Sequence, residues 1–141
     1  MRSFSGGYQH SLDPKGRIFF PTRLKEQMGE ALILCRGVEK CLMVFSEEGW
    51  EQFDRSLREL PFSSGRDIQR FFFSTVAECQ VDKQGRLLIP QDLRELAELK
   101  STVKIMGAQT RVEIWDLEEW ERHHASLVPK DIIAQMDKIG F

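Results

Sequence analysis

The sequence has no surplus of either charge. Its 20 lysines and arginines stand against 22 aspartates and glutamates, leaving a net charge of −2 and an isoelectric point near 5.9. A general nucleic-acid binder usually carries a basic balance, so any grip on phosphate must come from local patches. Cysteine is scarce and odd in number: Cys35, Cys41 and Cys79 lie in apolar surroundings at no close metal-ligand spacing, and the three histidines do not complete a set. We expect reduced, partly buried thiols and no metal. The adjacent His123 and His124 cannot share one helix face and read as surface polar residues. Long apolar runs are missing as well. None approaches bilayer-crossing length and no basic-then-apolar leader opens the chain, so a cytoplasmic protein is expected. Nor is there a nucleophile with its base or a phosphate-binding glycine loop. Gly37 and Gly107 stand alone, and Glu121 with His124 is a weak pairing. An enzyme, a cofactor and a small-molecule substrate are therefore not expected.

What the chain does have is a repeat. Leu12-Asp13-Pro14-Lys15-Gly16-Arg17-Ile18-Phe19-Phe20-Pro21 returns as Val81-Asp82-Lys83-Gln84-Gly85-Arg86-Leu87-Leu88-Ile89-Pro90. The match continues at an offset of 69 through Leu24 and Leu93, then shifts by one residue. At the offset of 70, Leu32-Ile33 meets Thr102-Val103, Gly37 meets Gly107, and Trp50 meets Trp120. One structural unit is thus used twice, and a chain of 141 residues has room for one compact body built from two fused halves. Charge is segregated too: Lys15, Arg17, Arg23 and Lys25 gather around Asp13, whereas Glu47, Glu48, Glu51 and later Asp116, Glu118, Glu119 and Glu121 cluster elsewhere.

Each copy predicts strand, turn, strand, short helix, strand, turn, strand, helix. Alternation puts Tyr8, His10 and Leu12 on one face, as it does Ala77, Cys79 and Val81. Asp13-Pro14-Lys15-Gly16 has type I turn preferences, and a left-handed glycine after such a turn makes a three-residue hairpin with a bulge. Ile18-Phe19-Phe20 and Leu87-Leu88-Ile89 lack alternation, which predicts strands buried on both faces. Pro21 and Pro90 can open helices over 22–28 and 91–97, with Gly29 a plausible stop. Ser46 and Asp116 suit helix N-caps, Asp116 with Glu119 as an acidic capping box, and Ser64 can cap a helix carrying Ile68, Phe71 and Phe72. Trp50, Phe53, Leu57 and Leu60 make a core-facing stripe. Ile132, Ile133, Met136 and Ile139, after Pro129, form another stripe that needs a surface on this chain or a neighbour.

A tight basic turn exposes backbone N–H groups and projects long side chains. Arginine suits phosphate or guanine edges, lysine suits phosphate, glutamine can bond adenine, and a two-stranded ribbon can enter a major groove. The alternative is that Asp13–Arg17 and Asp82–Arg86 merely staple their hairpins. Arg23, Lys25 and Arg94, on the short helices, read as a solvated face.

The paired Asp-x-x-Gly-Arg motifs, together with Gln69-Arg70-Phe71-Phe72-Phe73 and Glu113-Ile114-Trp115-Asp116, resemble the MraZ family from about Phe4 to Glu121. The resemblance implies a β-rich α+β fold in which two tandem swapped-hairpin AbrB-like units form one pseudo-twofold barrel with flanking helices. It implies a first DNA-binding repeat over 4–47, linking helices over 48–74, a second repeat over 75–117 and a C-terminal helical segment over 118–141. The implied function is sequence-specific, nucleoid-associated transcriptional regulation on direct repeats in the promoter of the division and cell-wall gene cluster. The implied partners are double-stranded DNA and further copies of the chain in a ring, with no membrane. DNA contact falls on Lys15, Gly16, Arg17, Lys83, Gln84 and Arg86, and turn organisation on Asp13, Asp82 and Gly85. Pro14 stands where a small residue is commoner and stiffens the first turn. The competing reading is a ring-forming structural or protein-interaction scaffold without specific DNA binding.

Overall fold

The computed structural model describes residues 3–141. Its first half runs β1 (Gly7–Ser11), β2 (Arg17–Phe19), α1 (Thr22–Met28), β3 (Leu32–Arg36) and β4 (Cys41–Phe45), followed by α2 (Glu47–Arg58) and α3 (Phe62–Phe73). The second half repeats the order with β5 (Ala77–Cys79), β6 (Arg86–Leu88), α4 (Gln91–Leu96), β7 (Thr102–Gly107) and β8 (Val112–Asp116), then α5 (Leu117–Ser126) and α6 (Pro129–Lys138).

The strands leave their own halves. β1 pairs with β7, β5 with β3 and β2 with β6, all antiparallel. The large sheet reads β1-β7-β8-β4-β3-β5, an order that interchanging the halves turns into its own reverse. A pseudo-twofold axis therefore passes between β4 and β8. The registers agree with it: Ile18 faces its own repeat-mate Leu87 across β2–β6, and Met43 faces its repeat-mate Glu113 across β4–β8.

A barrel does not form. The six-stranded sheet stays open, with β1 and β5 as its edges, and β2–β6 is a separate two-stranded ribbon. β2 and β6 are three residues each and spend their ladder bonds on one another, so they do not bridge the sheet edges. The ribbon is lengthened symmetrically by Phe20 N–H donating to the Gly85 carbonyl and Ile89 N–H to the Gly16 carbonyl, both at 2.9 Å.

Alternation along the sheet makes two cores. Leu32 and Leu34, Leu42 and Val44, Val103 and Ile105, and Val112 and Ile114 face the ribbon and short helices, where Ile18, Leu87, Leu24 and Leu93 meet them. On the opposite face, Ile33, Cys35, Met43 and Phe45 lie under Leu57 of α2 and Phe72 of α3, with Trp50 and Phe53 packed alongside. The expected burial of β2 and β6 on both faces is wrong: Ile18 and Leu87 are 1% and 0% exposed, whereas Phe19 and Leu88 are 54% and 55% exposed. Only one side of the ribbon has a sheet beneath it.

The repeat match also slips in β3 and β7. Leu32 corresponds to Val103 and Leu34 to Ile105, because these pairs face the same core and occupy the same ladder positions against β5 and β1. Matching Leu32 to Thr102 would turn every side chain of the strand to the wrong face.

Helix ends follow local chemistry with two exceptions. Pro21 and Pro90 precede α1 and α4, and Gly29 ends α1 at φ +92°. The Ser46 hydroxyl accepts the Gly49 N–H and caps α2. Asp116, although it precedes α5, makes no cap: its Oδ1 accepts the Lys100 N–H at 3.1 Å, and Glu119 pairs with Arg122 instead of reaching back. Nor does Ser64 cap α3. That helix begins at Phe62 behind Pro61, placing Ser64 inside its first turn, where its hydroxyl donates to the Pro61 carbonyl. α6 buries none of its residues, and Ile133 and Ile139 are exposed.

Two outcomes test this packing. Leu87→Ala, which empties a fully buried position on the axis, is expected to cost about 2–5 kcal/mol, read as a lowered urea midpoint. Burial pushes the Cys35 thiol up to about 12 and also raises Cys41, keeping both as thiols at neutral pH. Ellman's reagent at pH 8 is expected to leave Cys35 and Cys41 unmodified in the native protein and to titrate all three cysteines in urea.

Candidate nucleic-acid interface

Each hairpin is built around one aspartate. Asp13 accepts the Gly16 N–H on its carbonyl at 2.9 Å, and its own N–H donates to the Arg17 carbonyl, also at 2.9 Å. Gly16 follows at φ +87°, a region that side chains disfavour, and this completes a three-residue turn with a bulge. The Asp13 carboxylate then fills the turn. Oδ1 accepts the Lys15 N–H at 2.9 Å and the Arg17 N–H at 2.8 Å, while Oδ2 accepts Arg17 Nε at 2.7 Å. The second hairpin repeats this atom for atom: Asp82 Oδ1 accepts from the Gln84 and Arg86 N–H groups at 2.9 and 2.8 Å, and Oδ2 accepts Arg86 Nε at 3.1 Å. Gly85 sits at φ +83°. Hydrogen bonds from the Arg17 backbone, the Arg17 side chain and the Lys15 backbone together outweigh desolvation and hold the Asp13 carboxyl below its ordinary 3.8. Arg86 and Gln84 do the same for Asp82.

Nε is the atom each arginine commits to its aspartate. The Nε bond ties each guanidinium to its own turn, and Arg86 Nη2 also donates to Gln84 Oε1 at 3.4 Å. Arg17 pairs with Leu88 and Arg86 with Phe19 across the ribbon, so strand alternation puts all four side chains on its outer face. Both arginines line one shallow groove of about 520 Å³ with Asp13, His10 and Phe19. Lys15, Lys83 and Gln84 extend from the two turns and are exposed. The structure thus brings Lys15, Gly16 and Arg17 together with Asp13 at one end of the ribbon, and Lys83, Gln84 and Arg86 with Asp82 and Gly85 at the other.

The two ends differ in one respect that sequence reading missed. Arg94, read as part of a solvated face, donates Nε to the Ile89 carbonyl at 2.9 Å and lays its guanidinium over Gly16, where an added Cβ would come within 2.4 Å of Cζ. Its repeat-mate Lys25 instead pairs with Glu30 at 3.2 Å, and nothing lies within 4 Å of a Cβ added at Gly85. The first turn therefore gathers Lys15, Arg17 and Arg94, the last from the other half. The signal was the Lys-to-Arg change between copies, which has meaning only once the strands are known to cross. Among the described residues, no group of three or more His, Cys, Asp or Glu side chains could hold a metal ion, and no helix is long and apolar enough to span a membrane.

This is a β-rich α+β protein of two interlocked repeats that carries a basic turn at each end of one ribbon, with an arginine from each on the ribbon's outer face. The chain belongs to the MraZ family: the family model described as "MraZ protein, putative antitoxin-like" matches residues 3–70 and again 72–137. The transcriptional regulator MraZ of Acetivibrio thermocellus is 49% identical over 142 residues, covering 97% of this chain and 99% of that protein. That of Heliobacterium modesticaldum is 48% identical over 128 residues, covering 89% and 90%. The homologue from Caldicellulosiruptor saccharolyticus, of the same name, is 44% identical over 139 residues.

A carboxyl held low contributes order that is present above its unfolded value and lost as pH falls through its folded one. The Lys15, Arg17, Gln84 and Arg86 amide resonances are therefore expected to stay unchanged from pH 8 to about 5 and to move together only below the ordinary carboxylate range. Asp82→Ala is expected to move the Gln84 and Arg86 resonances even at pH 7.

Proposed function

We propose that the chain is a sequence-specific DNA-binding transcriptional regulator that grips double-stranded DNA with both hairpins. Lys15, Gly16 and Arg17 act from the first turn, and Lys83, Gln84 and Arg86 from the second, with Asp13, Asp82 and Gly85 setting turn geometry. The single observation that carries this reading is that Arg17 and Arg86 share one face of one ribbon, each oriented through Nε by its own aspartate. An ion pair serving only to staple a surface hairpin contributes little, because solvent screens it. Two such arginines on the same outer face, each held through Nε alone or with one further bond, keep N–H donors for bidentate contact with guanine or phosphate. The names of the relatives support a role in transcription.

In this reading, 4–47 and 75–117 are the two DNA-binding units, 48–74 links them and 118–141 serves assembly. The regulator works in the cytoplasm at the nucleoid, on direct repeats in the promoter of the division and cell-wall gene cluster. A protomer of net charge −2 makes few phosphate contacts, so a ring of copies engaging several repeats supplies the remaining affinity through effective concentration. The exposed stripe of α6 supports assembly.

Anisotropy titration against DNA selected by the protein from a random pool tests this. Arg17→Ala and Arg86→Ala are each expected to weaken binding by about 1–3 kcal/mol, with affinity falling steeply as salt rises and the oligomer unchanged by light scattering. Affinity indifferent to salt and to both substitutions together would leave a scaffold without specific DNA binding as the better reading.

A further inference from the structure

Between the two arginines the ribbon exposes two large apolar side chains. Phe19 is 54% and Leu88 55% exposed, although each flanks a core residue that is essentially sealed. Their positions are not independent. They are repeat-mates, and each stands directly opposite the other half's arginine, Phe19 facing Arg86 and Leu88 facing Arg17. The outer face of the ribbon is therefore a small chequer of two cations and two apolar groups related by the pseudo-twofold axis. Single exposed apolar residues are ordinary. A symmetric pair set opposite Arg17 and Arg86, with Lys15 and Lys83 on the turns at the two ends of the ribbon, is a different feature. Four cations against the carboxylates of Asp13 and Asp82 leave an excess of positive charge that favours a polyanion as the occupant of the face.

We propose that Phe19 and Leu88 read thymine C5-methyl groups in the major groove, each beside the base or phosphate held by the arginine across from it. The inference rests on the DNA-binding reading above and extends it from charge to base identity. Thymine is the only base that presents a methyl group in the major groove, and apolar side chains are what recognise it there. The spacing of the ribbon fits that of the bases. Directly paired residues stand about 4.5–5.5 Å apart at Cβ, and successive bases on a strand about 3.4 Å apart along the axis. An arginine and its apolar partner thus address neighbouring bases without leaving the ribbon. His10 lies beside Phe19 on the protein side, its ring 6.4 Å from that of Phe19, and lines the same groove. Because the pair is symmetric, each protomer reads two methyls, one on either side of the axis.

The test uses the full-length protein and DNA that it selects from a random pool, prepared once with thymine and once with deoxyuridine, which lacks only the methyl group. Wild type is expected to bind the deoxyuridine form more weakly by roughly fourfold for each methyl contacted. Phe19→Ser with Leu88→Ser is expected to bind the thymine form more weakly and to lose the discrimination, while circular dichroism and light scattering stay as in wild type. Equal binding of both DNAs by wild type, or discrimination retained by the double variant, overturns the proposal while leaving the arginine reading intact. A change of oligomeric mass in a double variant whose wild type ignores the methyl overturns it too, and assigns the pair to contact between copies. If wild type selects no DNA at all, the DNA-binding reading itself fails.

Discussion

The packing of Ile18 against Leu87 is the contact on which the molecule turns. These repeat-mates meet on the pseudo-twofold axis, sealed beneath a ribbon to which each half contributes one strand. Because β2 pairs with β6, β1 must follow it onto β7, and β5 onto β3. Neither half can close its own core: Leu32 and Leu34 of the first half and Val103 and Ile105 of the second share one apolar cluster with both ribbon strands. The halves are therefore one cooperative body, and the two basic turns inherit a fixed separation from a three-pair ribbon rather than from a linker. Preorganisation of this kind reduces the ordering cost of binding at two points.

Symmetry in the β framework is not carried into everything around it. The first half backs its sheet with α2 and α3, which bring Phe45, Phe53 and Phe72 into ring contact at 5.0 and 5.2 Å. The second half backs its own with α5, where Trp115 meets Trp120 and His123, and its last helix lies clear of the sheet. The hairpins differ too. Pro14 and the overlying Arg94 stiffen and charge the first turn, whereas Lys83 and Gln84 leave the second open and more polar. The two ends of the ribbon therefore present unlike chemistry.

The aspartates show how a nearly neutral protein concentrates positive charge. Each carboxylate spends its lone pairs on backbone N–H groups of its own turn and on one Nε. It neutralises part of the arginine's charge, yet it also fixes the guanidinium's direction, which a free surface arginine lacks. Arg17 and Arg86 then stand on the outer face of the ribbon, with Lys15 and Lys83 exposed on the turns at its two ends. The glutamates of α2 and of α5 lie on the helices that back the opposite face of the sheet.

Much of this was legible in the amino-acid order alone, because it rests on local rules. Asp, Gly and Arg at fixed spacing specify a bulged turn through φ and short hydrogen bonds, prolines open the short helices, and period-two alternation marks the inner face of β1 and β5. Family membership follows from the same motifs. Other features are set by which neighbour arrives from elsewhere in the chain. Whether Phe19 is buried depends on a sheet being present on one side of the ribbon only. Whether Leu32 matches Thr102 or Val103 depends on pairing register, and whether Asp116 caps α5 depends on Lys100 competing for its carboxylate. Arg94 gained its place over Gly16 because the strands cross between halves. The sequence by itself determined the two turns and the residues that fill them. Only the tertiary structure decided that Arg17 and Arg86 share one face of one ribbon, since that follows from one long-range pair, Ile18 with Leu87, which no local propensity encodes.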